Sequence, residues 1–172
     1  FARPGVRRRL LLPLLHARLL RALLFPPLTW ALFAVAMWAA HFTPLFELSL
    51  ESEPVHELEH LLFLATGLLY WLPAIGSEPV PWRLGWSMRL LYLFVGMPQS
   101  SVLGLVIYAQ GNVLYPHYAV LLGDAALADQ RLAGTIMWVG SDLLSMVAIG
   151  LLVWAWARAE ARPRHALVRR TS

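Results

Sequence analysis

Apolar residues gather in four long runs along this chain, separated by short stretches rich in proline, glycine and charge. The runs extend from about Leu28 to Phe46, Val55 to Ile75, Leu84 to Ala109 and Leu132 to Ala157. A hydrocarbon core of ~30 Å takes about 20 helical residues to cross, and each run is close to that length or above it. The pattern predicts an all-α polytopic membrane helix bundle with four transmembrane helices. Pro26 and Pro27 suit a helix start. Pro73 and Gly76 close the second run, and Met97-Pro98 predicts a kink inside the third.

Ahead of the first run, Arg7 to Phe25 is leucine-rich but interrupted by Arg18 and Arg21, and its uncharged part, Leu10 to Ala17, is too short to span. Arg7, Arg18 and Arg21 share one side of a helix; Arg8, Arg9 and His16 do not. The segment reads as an imperfect amphipathic helix lying along the membrane interface. The expected organisation is a cytoplasmic or interfacial segment (1–27), a transmembrane domain (28–157) and a basic tail (158–172). No charged region, apolar core and small-residue cleavage site follow one another at the front, so no signal peptide is expected.

Charge orients these helices. If four spans alternate, Arg3, Arg7, Arg8, Arg9, Arg18 and Arg21 share a side with Arg83 and Arg89 and with Arg158, Arg162, Arg164, Arg169 and Arg170. Only Arg131 falls on the other side, beside Glu47, Glu51, Glu53, Asp124 and Asp129. Arginine-rich loops stay in the cytoplasm, which predicts that both ends are inside. Trp30, Trp82, Trp86, Trp154 and Trp156 flank the runs as interfacial belts do.

Composition agrees. The chain is 59% hydrophobic and 14% charged, against about a quarter charged in soluble domains. A net charge of +4 and a pI of about 10.1 suggest nucleic acid only where a soluble fold carries a basic face; here the arginines edge apolar runs, and no nucleic-acid partner is expected. There is no cysteine, which excludes disulfides, thiolate ligands and cysteine nucleophiles.

The candidate chemistry centres on His56-Glu57-Leu58-Glu59-His60, opening the second run. Histidines at i and i+4 share a face ~6 Å apart and can share a metal ion. The string also fits H-E-x-x-H, in which the glutamate activates a zinc-bound water; equally, Glu and His at a helix start are ordinary interfacial residues. His41 ends the first run with Met37 one turn earlier, His117 lies between the third and fourth runs, and Asp129 precedes the fourth, with Met137 ~12 Å deeper. Imidazoles, carboxylates and thioethers without thiols suit copper, with zinc the alternative, although packing is the plainer role for either methionine. Asp142 falls near mid-membrane, where an ionisable group is costly; it reads either as functional or as a helix-pairing group bonded to Gln99 or Arg89.

These residues sit in a longer resemblance. W-A-A-H-F-T-P-L-F-E (38–47), V-H-E-L-E-H-L-L-F-L-A-T-G-L-L-Y-W (55–71), R-L-L-Y-L-F-V-G-M-P-Q (89–99), V-L-Y-P-H-Y (113–118) and L-A-D-Q-R-L-A-G-T-I-M-W-V-G (127–140) resemble, in order, the bacterial cytochrome c oxidase assembly family of the CtaG type. The resemblance implies membrane-embedded delivery of copper to the copper B centre of a haem–copper oxidase. It also implies that the chain corresponds to the C-terminal part of the usual fold; any ligands supplied by helices ahead of this part would not be visible in this sequence. A single-span assembly factor of the same name carries copper on cysteines, which this chain lacks.

The expected function is therefore copper handling by a metallochaperone rather than an enzyme, in the bacterial plasma membrane with its metal site outside. His56, His60 and His41 would bind the ion, with help from Glu57, Glu59 or Asp129 and with Met37, His117 and Met137 nearby. The expected partners are the oxidase subunit carrying copper B and membrane lipid. The competing readings are an intramembrane zinc protease, which needs a third ligand and has no Asp-Gly turn to supply one, and a haem cytochrome using His41 and His60. A non-metal structural subunit leaves the clustered histidines without a role.

Overall fold

Pro26 and Pro27 open the first long helix where the pattern places a start, since the missing proline N–H is not needed in a first turn. That helix runs Pro26–Phe42 (α2), after a short one at Arg18–Leu23 (α1). It ends because the Thr43 N–H and hydroxyl both turn back to the Ala39 carbonyl, at 3.0 and 2.6 Å, and Pro44 has no N–H to extend the ladder. The chain then bends by 64° into Leu45–Glu51 (α3). The run expected as one span to Phe46 is thus a broken one, and most of the 47–54 stretch between the first two runs is helical. Only Ser52 separates α3 from Glu53–Ile75 (α4).

This computed structural model describes residues 18–76 and 81–168, and among them every regular element is helical. The interfacial segment expected at 7–25 lies mostly outside the described residues. Gly76 closes α4 in the left-handed region (φ 62°) and donates its N–H to the Leu72 carbonyl at 3.1 Å. Arg89 occupies the space that a side chain on Gly76 would need. Its guanidinium reaches the carbonyls of Leu84 (2.9 Å), Ile75 (3.4 Å) and Gly76 (3.5 Å), a cation at the negative end of α4.

Trp86–Ala109 (α5) continues through Pro98 as one helix. Pro116–Leu122 (α6) and a 3-10 turn at Gly123–Ala125 lead into Ala126–Val168 (α7). α7 begins well before Leu132 and continues past Ala157 into the basic tail, because charge ends an apolar run without breaking a helix. By length and hydropathy α4, α5 and Pro116–Ala161 can each cross a bilayer, and α2 with α3 makes a fourth if the bent pair is one span. Leu58, Leu61, Leu64 and Leu68 on α4, and Leu143, Leu144, Val147 and Leu151 on α7, are exposed. Such stripes are stable where the solvent is lipid.

Two helix pairs build the bundle. α5 and α7 touch backbone to backbone at Gly104 and Gly134: a Cβ on either glycine would lie 2.7 Å from the other's carbonyl oxygen. α2 packs on α4, where Phe33 stacks on Tyr70 with ring centroids 4.8 Å apart. Polar bonds join the pairs. The Tyr92 hydroxyl donates to the Tyr70 carbonyl (3.0 Å) and lies 3.1 Å from the Thr29 hydroxyl, while the Trp38 indole donates to Gln99 (3.2 Å).

Candidate functional site

The site lies at the acid-rich end of the bundle, where α2 stops, α3 crosses and α4 begins. His41, in the last turn of α2, has Nδ1 2.7 Å from the Met37 carbonyl oxygen. A carbonyl only accepts, so Nδ1 carries the hydrogen and Nε2 keeps a lone pair, the arrangement by which a backbone carbonyl orients a metal-binding imidazole. The ring is held between Phe46 of α3 (centroids 5.9 Å) and Phe63 of α4 (6.3 Å). Met37 therefore meets His41 through its backbone.

His41 lines a cavity of about 160 Å³ together with Phe46, Tyr115, Asp129, Gln130 and Met137. Asp129 stands in the first turn of α7, and Met137 lies two turns deeper on the same face. Sequence reasoning missed Gln130 and Tyr115. Gln130 is 6% exposed; it accepts the Leu114 N–H (2.6 Å) and donates to the carbonyls of Asn112 (3.2 Å) and Ile107 (3.4 Å). It thereby pins the turn after α5 against α7. Tyr115, in that turn, donates its hydroxyl to the His41 carbonyl (3.3 Å) and packs on Phe46 (4.6 Å). Burial, the nearby Glu59 carboxylate and Tyr118 push the Tyr115 phenol up to about 12. The available signal for Tyr115 was its place in V-L-Y-P-H-Y; for Gln130 there was none beyond its neighbour Asp129.

The remaining predicted residues do not line this cavity. His56 and His60 sit one turn apart on α4 with ring centroids 4.2 Å apart, His56 half-buried and His60 exposed. Glu57 is exposed. Glu59 is 3% exposed, and its Oε1 has no hydrogen-bond partner among the described residues. Glu47 accepts the His117 backbone N–H through Oε1 (2.7 Å), while its buried Oε2 is likewise unpartnered. The His117 ring packs edge-on to Tyr118 at 6.0 Å. Among the described residues no three His, Asp or Glu side chains come close enough to hold one ion. The expected nest of His41, His56 and His60 is thus divided into an imidazole pair near the surface and a single imidazole in the cavity.

Asp142 bonds neither of its expected partners. Its Oδ1 lies 2.6 Å from the Ser101 hydroxyl. Gln99 is engaged by Trp38 and Ser100, and Arg89 by the backbone carbonyls around the end of α4.

Helices long and apolar enough to cross a bilayer, with no other regular element among the described residues, define an α-helical membrane protein. The chain belongs to the family of the cytochrome c oxidase caa3 assembly factor (Caa3_CtaG), whose match covers residues 1–159. It is similar to uncharacterized proteins of Mycobacterium bovis and Mycobacterium tuberculosis, each 32% identical over 164 residues, which is 93% of this chain and 25% of the relative. An uncharacterized protein of Mycobacterium leprae is 28% identical over 153 residues, 87% of this chain and 23% of its own length. The chain thus spans about a quarter of the length of these curated relatives. No solved structure matches it.

Proposed function

We propose that this chain handles copper during assembly of a haem–copper oxidase, receiving the ion at the acid-rich end and delivering it to the subunit that carries copper B. It works without covalent chemistry, as a chaperone. The family is described by oxidase assembly, and the observation that carries the metal reading is His41. Its Nδ1 is tied to a carbonyl at 2.7 Å, Nε2 is left to bind, and the same small cavity is lined by Met137 and Asp129. One imidazole, one thioether and one carboxylate suit copper, whose cuprous form favours thioether.

Two competing readings fit the geometry less well. A zinc site takes three or more protein ligands, and among the described residues none joins His56 and His60. His60 does not line the cavity that holds His41, and that cavity's volume of about 160 Å³ is below the roughly 300 Å³ at which small-molecule pockets begin; both disfavour a haem held by His41 and His60. In this reading the arginine-rich side faces the cytoplasm, the site faces outward, and the exposed leucine stripes contact lipid of the bacterial plasma membrane.

Anaerobic titration of the purified protein with Cu(I) against a chromophoric chelator tests the proposal. Wild type is expected to bind copper tightly, and His41→Ala and Met137→Leu to lose the cavity ion. Unchanged binding in both variants removes the cavity from the reading. Preferential zinc binding with a peptidase activity abolished by Glu57→Gln replaces the proposal with the protease.

A further inference from the structure

Glu59 has the least comfortable environment at the acid-rich end. It is 3% exposed, and one carboxylate oxygen has no hydrogen-bond partner among the described residues. A buried, unsatisfied polar atom is costly and needs an explanation in water, an ion or function. On α4, Glu59 lies one residue from His60 and one turn from His56, the pair nearest the surface. Phe63, one turn further along the same face, stacks on His41. On its other side the Glu59 charge acts on Tyr115, which lines the cavity.

We infer that Glu59 is a transfer ligand, carrying copper between an entry site at His56 and His60 and the enclosed seat at His41 and Met137. The inference rests on the copper reading above and adds a direction of travel and a residue that makes it passable. A cation reaching His41, on which Phe46 and Phe63 both stack, would otherwise pass apolar rings at a steep desolvation cost. A buried carboxylate offsets that cost. It is also a hard oxygen ligand, poorly matched to cuprous copper, so it attracts the ion without trapping it. Passage through sites in series needs each step favourable enough to enter and weak enough to leave. Among the described residues neither station gathers three His, Asp or Glu side chains, which suits an ion that is handed on.

The test uses cuprous ion and the chelator bathocuproine disulfonate on the whole chain in detergent, with no oxidase present. Wild type is expected to hold two equivalents; His56→Ala/His60→Ala removes one, and His41→Ala the other. Glu59→Gln is expected to keep both equivalents but to slow exchange of the cavity ion with chelator by about tenfold, equivalent to about 1.4 kcal/mol on the transfer barrier. His60→Ala, at an exposed position, slows cavity loading independently of any folding defect in Glu59→Gln. Glu57→Gln, the exposed neighbour, is expected to exchange at the wild-type rate. A Glu59→Gln protein that loads and exchanges like wild type overturns the transfer role and leaves the copper reading standing, as does equal slowing in Glu57→Gln. Failure of wild type to bind copper overturns the copper reading, and the transfer role with it.

Discussion

Ser101 of α5 and Asp142 of α7 are joined by a 2.6 Å hydrogen bond at mid-helix, where lipid offers neither residue another polar partner. The Ser101 oxygen also lies 2.9 Å from the Met97 carbonyl of its own helix, so its single hydroxyl hydrogen has two acceptors to choose from, Asp142 and the backbone of α5. Asp142→Asn keeps a group that bonds Ser101 and is expected to be tolerated. Asp142→Leu removes the bond between the helices, leaving the Ser101 hydroxyl to the Met97 carbonyl, and is expected to cost about 1 kcal/mol, within the range of interhelical bonds in membranes. Thermal unfolding in detergent, run beside Ser101→Ala, measures it. Equal stability of Asp142→Leu and wild type makes the bond incidental.

The Gly104–Gly134 crossing sets how closely α5 and α7 approach. A methyl group on either glycine meets backbone atoms of the other helix at 2.7 Å, and backbone cannot move aside as a flexible side chain can. Gly104→Ala and Gly134→Ala are each expected to destabilise by about 1–3 kcal/mol, the usual cost of overpacking. Gly140→Ala, with nothing within 4 Å, is expected to stay within about 0.5 kcal/mol of wild type. The contrast between the three variants is the measurement, since all add the same methyl group to a helix.

Tyr115 gives the site a signature at high pH. Its phenol titrates near 12 rather than 10.0 because burial, first, and the Glu59 charge, second, disfavour the phenolate. The folded value lies above the unfolded one, so the contribution to stability is complete below pH 10 and is lost as pH rises through about 12. Ultraviolet titration, compared with Tyr115→Phe to isolate the residue, is expected to show the raised midpoint. Glu59→Gln is expected to bring it down. A midpoint unmoved by Glu59→Gln separates the two residues electrostatically.

Reporter fusions test which end of the bundle faces outward. Fusions at Ser52, between α3 and α4, and within 120–127 are expected to read as external, and fusions after Gly76 and at Ser172 as cytoplasmic. A cytoplasmic signal at Ser52 reverses the orientation and moves the cavity to the inner face.

Amino-acid order alone determined the helical class, the positions of the long helices and the gathering of most acids and four of the six histidines at one end. Those properties are one-dimensional: an apolar run long enough to cross lipid is visible without knowing its neighbours, and arginines are counted at its ends. The break at Thr43-Pro44 was also written in the chain, but an apolar run continuing to Phe46 concealed it. Tertiary structure decided the rest. His60 and Glu59 are adjacent in sequence, yet one is exposed and the other 3% exposed, because the face of α4 that is covered depends on where α3 and the 110–115 turn pack. Asp142 meets Ser101 rather than Gln99 or Arg89 because the Gly104–Gly134 contact sets the register of α5 against α7. His41, Asp129 and Met137 share a cavity because three helices end or begin at one level. Such groupings depend on the distances between helices, and hydropathy along one chain contains no term for them.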